Sequence, residues 1–178
     1  MRMLSLFLIF LSPPAWAEMQ TKLSADLNGN EVPEFYELLV NEENIVTLLI
    51  SEDDAEPIEA ADIAWKGGLY GQEPELELAP NGSVRVISQN EGCCRHRWRQ
   101  TLTLAYRQGA IRVAGMTYQW RDTLDLDLYG TCDVNLLTGK GVAENGGRSP
   151  KWFAVPAVAP RVTDWTLDAS LPEACEIQ

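Results

Sequence analysis

Through most of the chain, apolar and polar residues alternate with a period of two, in short runs that stop at turn residues roughly every ten positions. That is the pattern of antiparallel strands with one buried face. The runs Glu34–Val40 and Ile45–Ser51 flank Asn41-Glu42-Glu43-Asn44 and predict a hairpin with a four-residue loop. In 73–79, Leu76 and Leu78 alternate with Glu75 and Glu77, and Pro80-Asn81-Gly82 turns this run into 83–89. The clearest hairpin joins 95–107 to 110–121 through Gln108-Gly109, and a further strand, 131–137, stops at Thr138-Gly139-Lys140-Gly141. One stretch, 57–63, has helical spacing: Pro57 stands where a first turn tolerates it, Ile58, Ala61 and Ile63 are apolar, and Gly67-Gly68 closes it. Past Val142, Gly146-Gly147, Pro150, Pro156 and Pro160 break regular structure. The expected organisation is a β domain over 18–142 and an extended, Pro- and Gly-rich tail over 143–178, held down by Trp152, Trp165 and Cys175. The fold class is all-β, an antiparallel sandwich or curled sheet built from hairpins with at most one short helix.

The first 17 residues break the alternation and read as a secretory signal. Arg2 gives a positive start, 4–11 is almost wholly apolar, Pro13-Pro14 interrupt it, and Ala15 and Ala17 occupy the −3 and −1 positions of a cleavage site. The run is too short for a bilayer core, which takes roughly 20 residues, and no later run approaches that length. The expected location is therefore the periplasm of a Gram-negative bacterium or the outside, with no membrane span. Charge narrows the partners: 26 Asp and Glu against 14 Lys and Arg leave a net charge of −12, which repels phosphate backbones and disfavours nucleic acid. All four cysteines, Cys93, Cys94, Cys132 and Cys175, follow the signal, and an even count in an exported chain predicts two disulfides. Three connectivities are open. The strained ring closed by adjacent cysteines favours Cys93 and Cys94 each reaching one of Cys132 and Cys175.

Two segments carry candidate chemistry. In Asp26-Leu27-Asn28-Gly29-Asn30-Glu31-Val32-Pro33-Glu34, the side chains of Asp26, Asn28, Asn30 and Glu34 and the carbonyl of Val32 fall at ligand positions 1, 3, 5, 9 and 7 of a Ca²⁺ loop, with Glu37 at position 12. Glu31 stands where such loops need glycine for a sharp bend, and the alternative is an Asx-rich turn closed by its own backbone amides. In the second segment, Arg95, Arg97 and Arg99 share one strand face. With a two-residue turn at Gln108-Gly109 they would sit opposite Asp122, Trp120 and Tyr118, a strip suited to cation–π contacts or an anionic ligand, or to pairing with the protein's own carboxylates. His96 is the only histidine and is expected half-buried beside Trp98. Gly67-Gly68-Leu69-Tyr70-Gly71 follows no predicted strand and opens no helix, so it is not a phosphate cradle.

The order of A-D-L-N-G-N-E-V-P-E-F, G-G-L-Y-G, P-N-G-S-V-R-V-I-S, R-W-R-Q-T-L-T-L-A-Y-R-Q-G and D-V-N-L-L-T-G-K resembles a family of uncharacterised exported bacterial proteins, in which a D-x-N-G-x loop of the FG-GAP kind precedes a hairpin and an N-L-L-T-G-K motif follows. The resemblance covers about 25–140 and implies the compartment and the β-fold, but no activity. Two functions follow as expectations. The first is a non-enzymatic periplasmic binding or envelope-associated module whose partner is an unknown protein or envelope component. The second is a carboxylate-dependent hydrolase acting on an envelope polymer or small ester. No catalytic residues are singled out, and Ca²⁺ is the one cofactor considered.

Overall fold

The computed structural model describes residues 21–167 and 171–175, so the predicted signal, 1–17, lies outside the described residues. Eleven strands form two antiparallel sheets. The smaller holds β1 (Lys22–Ala25), β2 (Glu34–Val40), β3 (Ile45–Ser51) and β4 (Ile58–Trp65) in that spatial order. The larger is an unbroken meander of β5 (Glu75–Leu78), β6 (Val84–Asn90), β7 (His96–Arg107), β8 (Ala110–Asp122), β9 (Tyr129–Asn135), β10 (Lys140–Asn145) and β11 (Lys151–Ala154). Every neighbour in the meander is also the next strand in sequence, so hairpin connections alone build it. Two short 3-10 turns, Val162–Asp164 and Glu173–Cys175, are the only helical elements among the described residues.

Period-two alternation sends one set of side chains from each sheet into a shared core. Tyr36, Leu38, Val46, Leu48 and Ile50 come from the small sheet, and Leu76, Val84, Val86, Leu102, Leu104, Val113, Met116 and Val134 from the large one. Leu48, Val84, Leu104 and Val113 are wholly inaccessible to solvent, and burial of each such side chain favours folding by about 1.5–3 kcal/mol. The Trp65 amide donates to the Ser88 hydroxyl at 3.0 Å, tying β4 to β6 across the two sheets.

The predicted helix at 57–63 is a strand, β4. Between Val46↔Ala64 and Leu48↔Ala60 the β4 side carries extra residues, a bulge in which Asp62 takes φ +53°. The bulge throws Ala60, Ile63 and Ala64 onto the buried face, so a strand imitates helical spacing. It also means that Gly67-Gly68-Leu69-Tyr70-Gly71 does follow a strand.

Beyond β9 the chain adds β10 and β11 to the sheet and then returns along the near end of β8. Pro160 accepts from the Val113 amide at 3.0 Å, and Ala159 from Arg112 Nη1 at 2.8 Å. Trp165 is buried as expected, but Trp152 stands exposed on β11 instead of holding the chain down.

Candidate functional site

The expected strip of arginines facing aromatic rings does not form. Gln108-Gly109 makes the two-residue turn, with φ of +53° and +72°, and Arg107 pairs with Ala110. Past Leu104↔Val113, however, Ala114 bulges out and Thr103 pairs with Gly115, so every later pairing slips by one. Arg99 now faces Gln119, Arg97 faces Arg121, Trp98 faces Trp120, and Gln100 faces Tyr118. The slip carries Tyr118 and Trp120 to the core side. There Trp98 stacks with Tyr118 at 6.3 Å and meets Trp65 at 5.4 Å, and burial raises the Tyr118 hydroxyl above its ordinary pKa. Arg95 lies just before β7 and reaches Asp122 from the loop, Nε to Oδ2 at 2.5 Å.

What the slip builds on the outer face is an open cleft of about 580 Å³, within the range of small-molecule sites. It is lined by Glu91, Arg99, Gln119, Arg121, Tyr129, Thr131 and Glu144, with Trp120 and Gly130 contributing from beneath. Register makes it a grid. Arg99, Gln119, Thr131 and Glu144 form one row across β7 to β10, and Arg97, Arg121 and Tyr129 form the next. Two arginines directly opposite one another repel, and Glu91 answers both. Its carboxylate accepts from both terminal Arg121 guanidinium nitrogens, Nη1 at 2.9 Å, and its main-chain oxygen accepts from Arg97. The hydrogen bond to Glu91 is the main reason that Arg121 is raised above the ordinary guanidinium pKa. Arg99 Nη1 donates to Gln89 at 3.0 Å. Within the protein, then, Arg121 pairs with a carboxylate, whereas Arg97 and Arg99 are bonded to a main-chain oxygen and a side-chain amide oxygen.

Glu91 is placed by a close approach of two loops. Its amide donates to the Gly71 carbonyl at 2.8 Å, and a Cβ at Gly92 would meet the Tyr70 oxygen at 1.9 Å. The Gly67–Gly71 segment is therefore a buttress for the cleft's acidic side.

Asp122, at the end of β8, is buried and closes the connection to β9. Its Oδ1 accepts the amides of Leu124 at 2.8 Å and Asp125 at 3.0 Å. Burial works to raise its pKa, but those two amides and the Arg95 guanidinium outweigh it and hold the carboxyl below its ordinary value. His96 is its register partner. The imidazole, on the first residue of β7, is exposed rather than half-buried, and its Nδ1 lies 3.9 Å from Asp122.

The Asp26–Glu34 loop turns its oxygens on its own backbone. Asp26 accepts the amides of Gly29 at 2.7 Å, Asn30 at 3.2 Å and Glu31 at 3.0 Å. Asn28 accepts from Asn30 and Asn30 from Val32, both at 2.8 Å. Buried Glu34 accepts from Leu27 at 2.7 Å and Asn28 at 3.2 Å. Glu31 adopts φ +71°, the left-handed bend for which a glycine is the usual residue. Glu52, not foreseen from the sequence, accepts from the side-chain amides of Asn28 and Asn30. Glu37 is instead ion-paired to Lys22 at 2.5 Å. Burial first, then the Glu34, Asp26 and Glu52 carboxylates, push the Tyr36 hydroxyl far above the tyrosine range. Among the described residues, no three acidic, imidazole or thiol groups are grouped to hold a metal.

All four cysteines are cross-linked, but not in the expected pairs. Cys132, buried on β9, joins Cys175, and Cys93 joins Cys94. The tail delivers Cys175 to the core, with 5.5 Å between the two Cα atoms. The adjacent pair lies in the tight β6–β7 connection, where Cys94 takes φ +73° and the turn itself brings the two side chains together. No protein-family model, curated protein or solved structure matches the chain.

Proposed function

We propose that this protein is a non-enzymatic binding module of the bacterial envelope, exported to the periplasm or beyond, and that it binds through the outer face of its seven-stranded sheet. The observation that carries the reading is the open cleft in which Arg99, Gln119, Arg121, Thr131, Glu91 and Glu144 present hydrogen-bonding groups beside Tyr129. The signal-like first 17 residues and the Cys132–Cys175 cross-link support the compartment. Two carboxylates in one cleft keep a hydrolase as the alternative. Against it, both Glu91 oxygens are engaged by Arg121, which leaves Glu144 without a second free carboxylate.

The test is retention of envelope components on immobilised protein. The parent should hold a component of periplasmic extract or isolated envelope that a Gln119→Ala/Arg121→Ala double variant does not. Equal retention by both would overturn the proposal. Ester or polymer hydrolysis by the parent, abolished in Glu144→Gln, would establish the alternative.

Weak Ca²⁺ binding at the Asp26–Glu34 loop is a separate proposal. Its support is the spacing of oxygen-bearing side chains in the loop, with the Glu52 carboxylate brought against Asn28 and Asn30.

A further inference from the structure

The binding-module reading leaves its ligand open, and two aromatic side chains on the same face bear on that choice. Trp152 is 77% exposed and Tyr129 46% exposed, whereas Trp98 and Tyr118 of the same sheet are half-buried and stack on each other. Trp152 pairs with Val142, and Val142 with Asp133, whose carboxylate accepts from the Thr117 hydroxyl at 2.7 Å. Asp133 is exposed on the outer side of β9, as Tyr129 is four residues earlier. Trp152 and Tyr129 therefore stand on one face, two strands and four residues apart, about 10 Å across the sheet and about 13 Å along it. Glu144 lies between them, opposite Thr131 on one strand and two residues from Val142 on its own.

We infer that this face binds a neutral saccharide chain, laid diagonally from Tyr129 over Glu144 and Thr131 to Trp152, and this rests on the binding-module reading above. Charge selects the ligand first. Arg121 and Arg97 are both tied to Glu91 and Arg99 to Gln89, so an anion would meet guanidinium groups already engaged and the carboxylates of Glu91 and Glu144. Geometry selects next. Gln119, Glu144 and the Arg121–Glu91 fork are planar groups with paired donors or acceptors, suited to adjacent hydroxyls on a sugar ring. The apolar C–H faces of the same rings carry partial positive charge and lie against the electron-rich faces of Tyr and Trp. An extended peptide is a poorer fit, because peptides join sheets at free backbone edges, whereas the main chain of β8, β9 and β10 is paired on both sides.

The test is calorimetric titration of the purified protein with linear neutral tetrasaccharides: β-1,4-linked glucose, β-1,4-linked N-acetylglucosamine and α-1,4-linked glucose. Tetragalacturonate serves as the acidic comparison. At least one neutral probe should bind and shift indole emission to shorter wavelength, and tetragalacturonate should not bind. Trp152→Ala and Glu144→Ala, both at exposed positions, should keep the parent's melting temperature and weaken binding by about tenfold or more. Failure of every neutral probe, or equal binding by both variants, would overturn the inference. If retention of a protein partner is lost in Gln119→Ala/Arg121→Ala while no saccharide binds, the ligand class is wrong and the module reading stands. If neither is seen, both fall.

Discussion

The Asp26–Glu34 loop and the outer face of the large sheet are both rich in side-chain oxygen and nitrogen, but they direct it differently. In the loop, Asp26, Asn28, Asn30 and Glu34 accept hydrogen bonds from amides no more than seven residues away, and the segment closes on itself. On the face, Arg99, Gln119, Thr131 and Glu144 come from four strands, and their groups line an open cleft. A recognisable local motif holds the fold, and a site with no local motif is left facing solvent. Substitutions in the loop should therefore alter stability and leave ligand retention intact, and substitutions on the face should do the reverse.

The strongest test of this contrast is Glu34→Ala. It removes a buried carboxylate that accepts two backbone amides and should lower unfolding free energy by about 2–3 kcal/mol in denaturant titrations. Retention of the envelope component should be unchanged in the folded variant. A loss of retention greater than the loss of stability would break the contrast.

Asp122 sharpens it from the other side, because it lies next to the face but works like a loop residue. Its carboxyl is held below the ordinary value in the folded state, so the stability it confers is present above the ordinary carboxylate pKa and lost as pH falls through the depressed one. Asp122→Asn should lower the melting temperature by several degrees near neutrality, and the gap to the parent should narrow as the pH is taken below 4. A gap that stays constant across the acid limb would assign the effect to packing alone.

The smallest expected effect is that of calcium. With a Kd on the order of 10⁻³ M, several millimolar Ca²⁺ should raise the melting temperature by about one or two degrees, and Asp26→Ala should abolish the rise. A flat titration would leave the loop as an Asx turn only.

Both the clear and the obscure parts of this molecule follow from the range of the forces involved. The hairpin of β2 and β3 is readable because local alternation and the Asn41–Asn44 turn agree on it, and β7 and β8 are readable for the same reason. β4 is not, because a bulge stabilised by pairing with β3 resets its period. The single-residue slip at Ala114 has the wider effect: β8 pairs with β9 only as far as Gly115↔Asn135, and nearer the turn Val113 bonds the returning tail at Pro160. That change of partner, set by residues far away in sequence, moved two aromatics into the core side and left Gln119 beside Arg99. Glu91 and Glu144 carry no signal of their own. Only the strand order makes them neighbours of one cleft. The paired cysteines were legible as cross-links, but which sulfur meets which depends on where the tail ends up.

The bulge in β4 has a consequence for how copies of this chain meet one another. β4 is an edge of the smaller sheet, and a flat edge is a template on which another chain can add a strand. The left-handed turn at Asp62 breaks the row of donors and acceptors, and the Asp62 carbonyl is already occupied by the Leu167 amide at 2.8 Å. The same irregularity that disguises the strand in the sequence thus leaves this edge without a regular row of donors and acceptors on which another strand could pair.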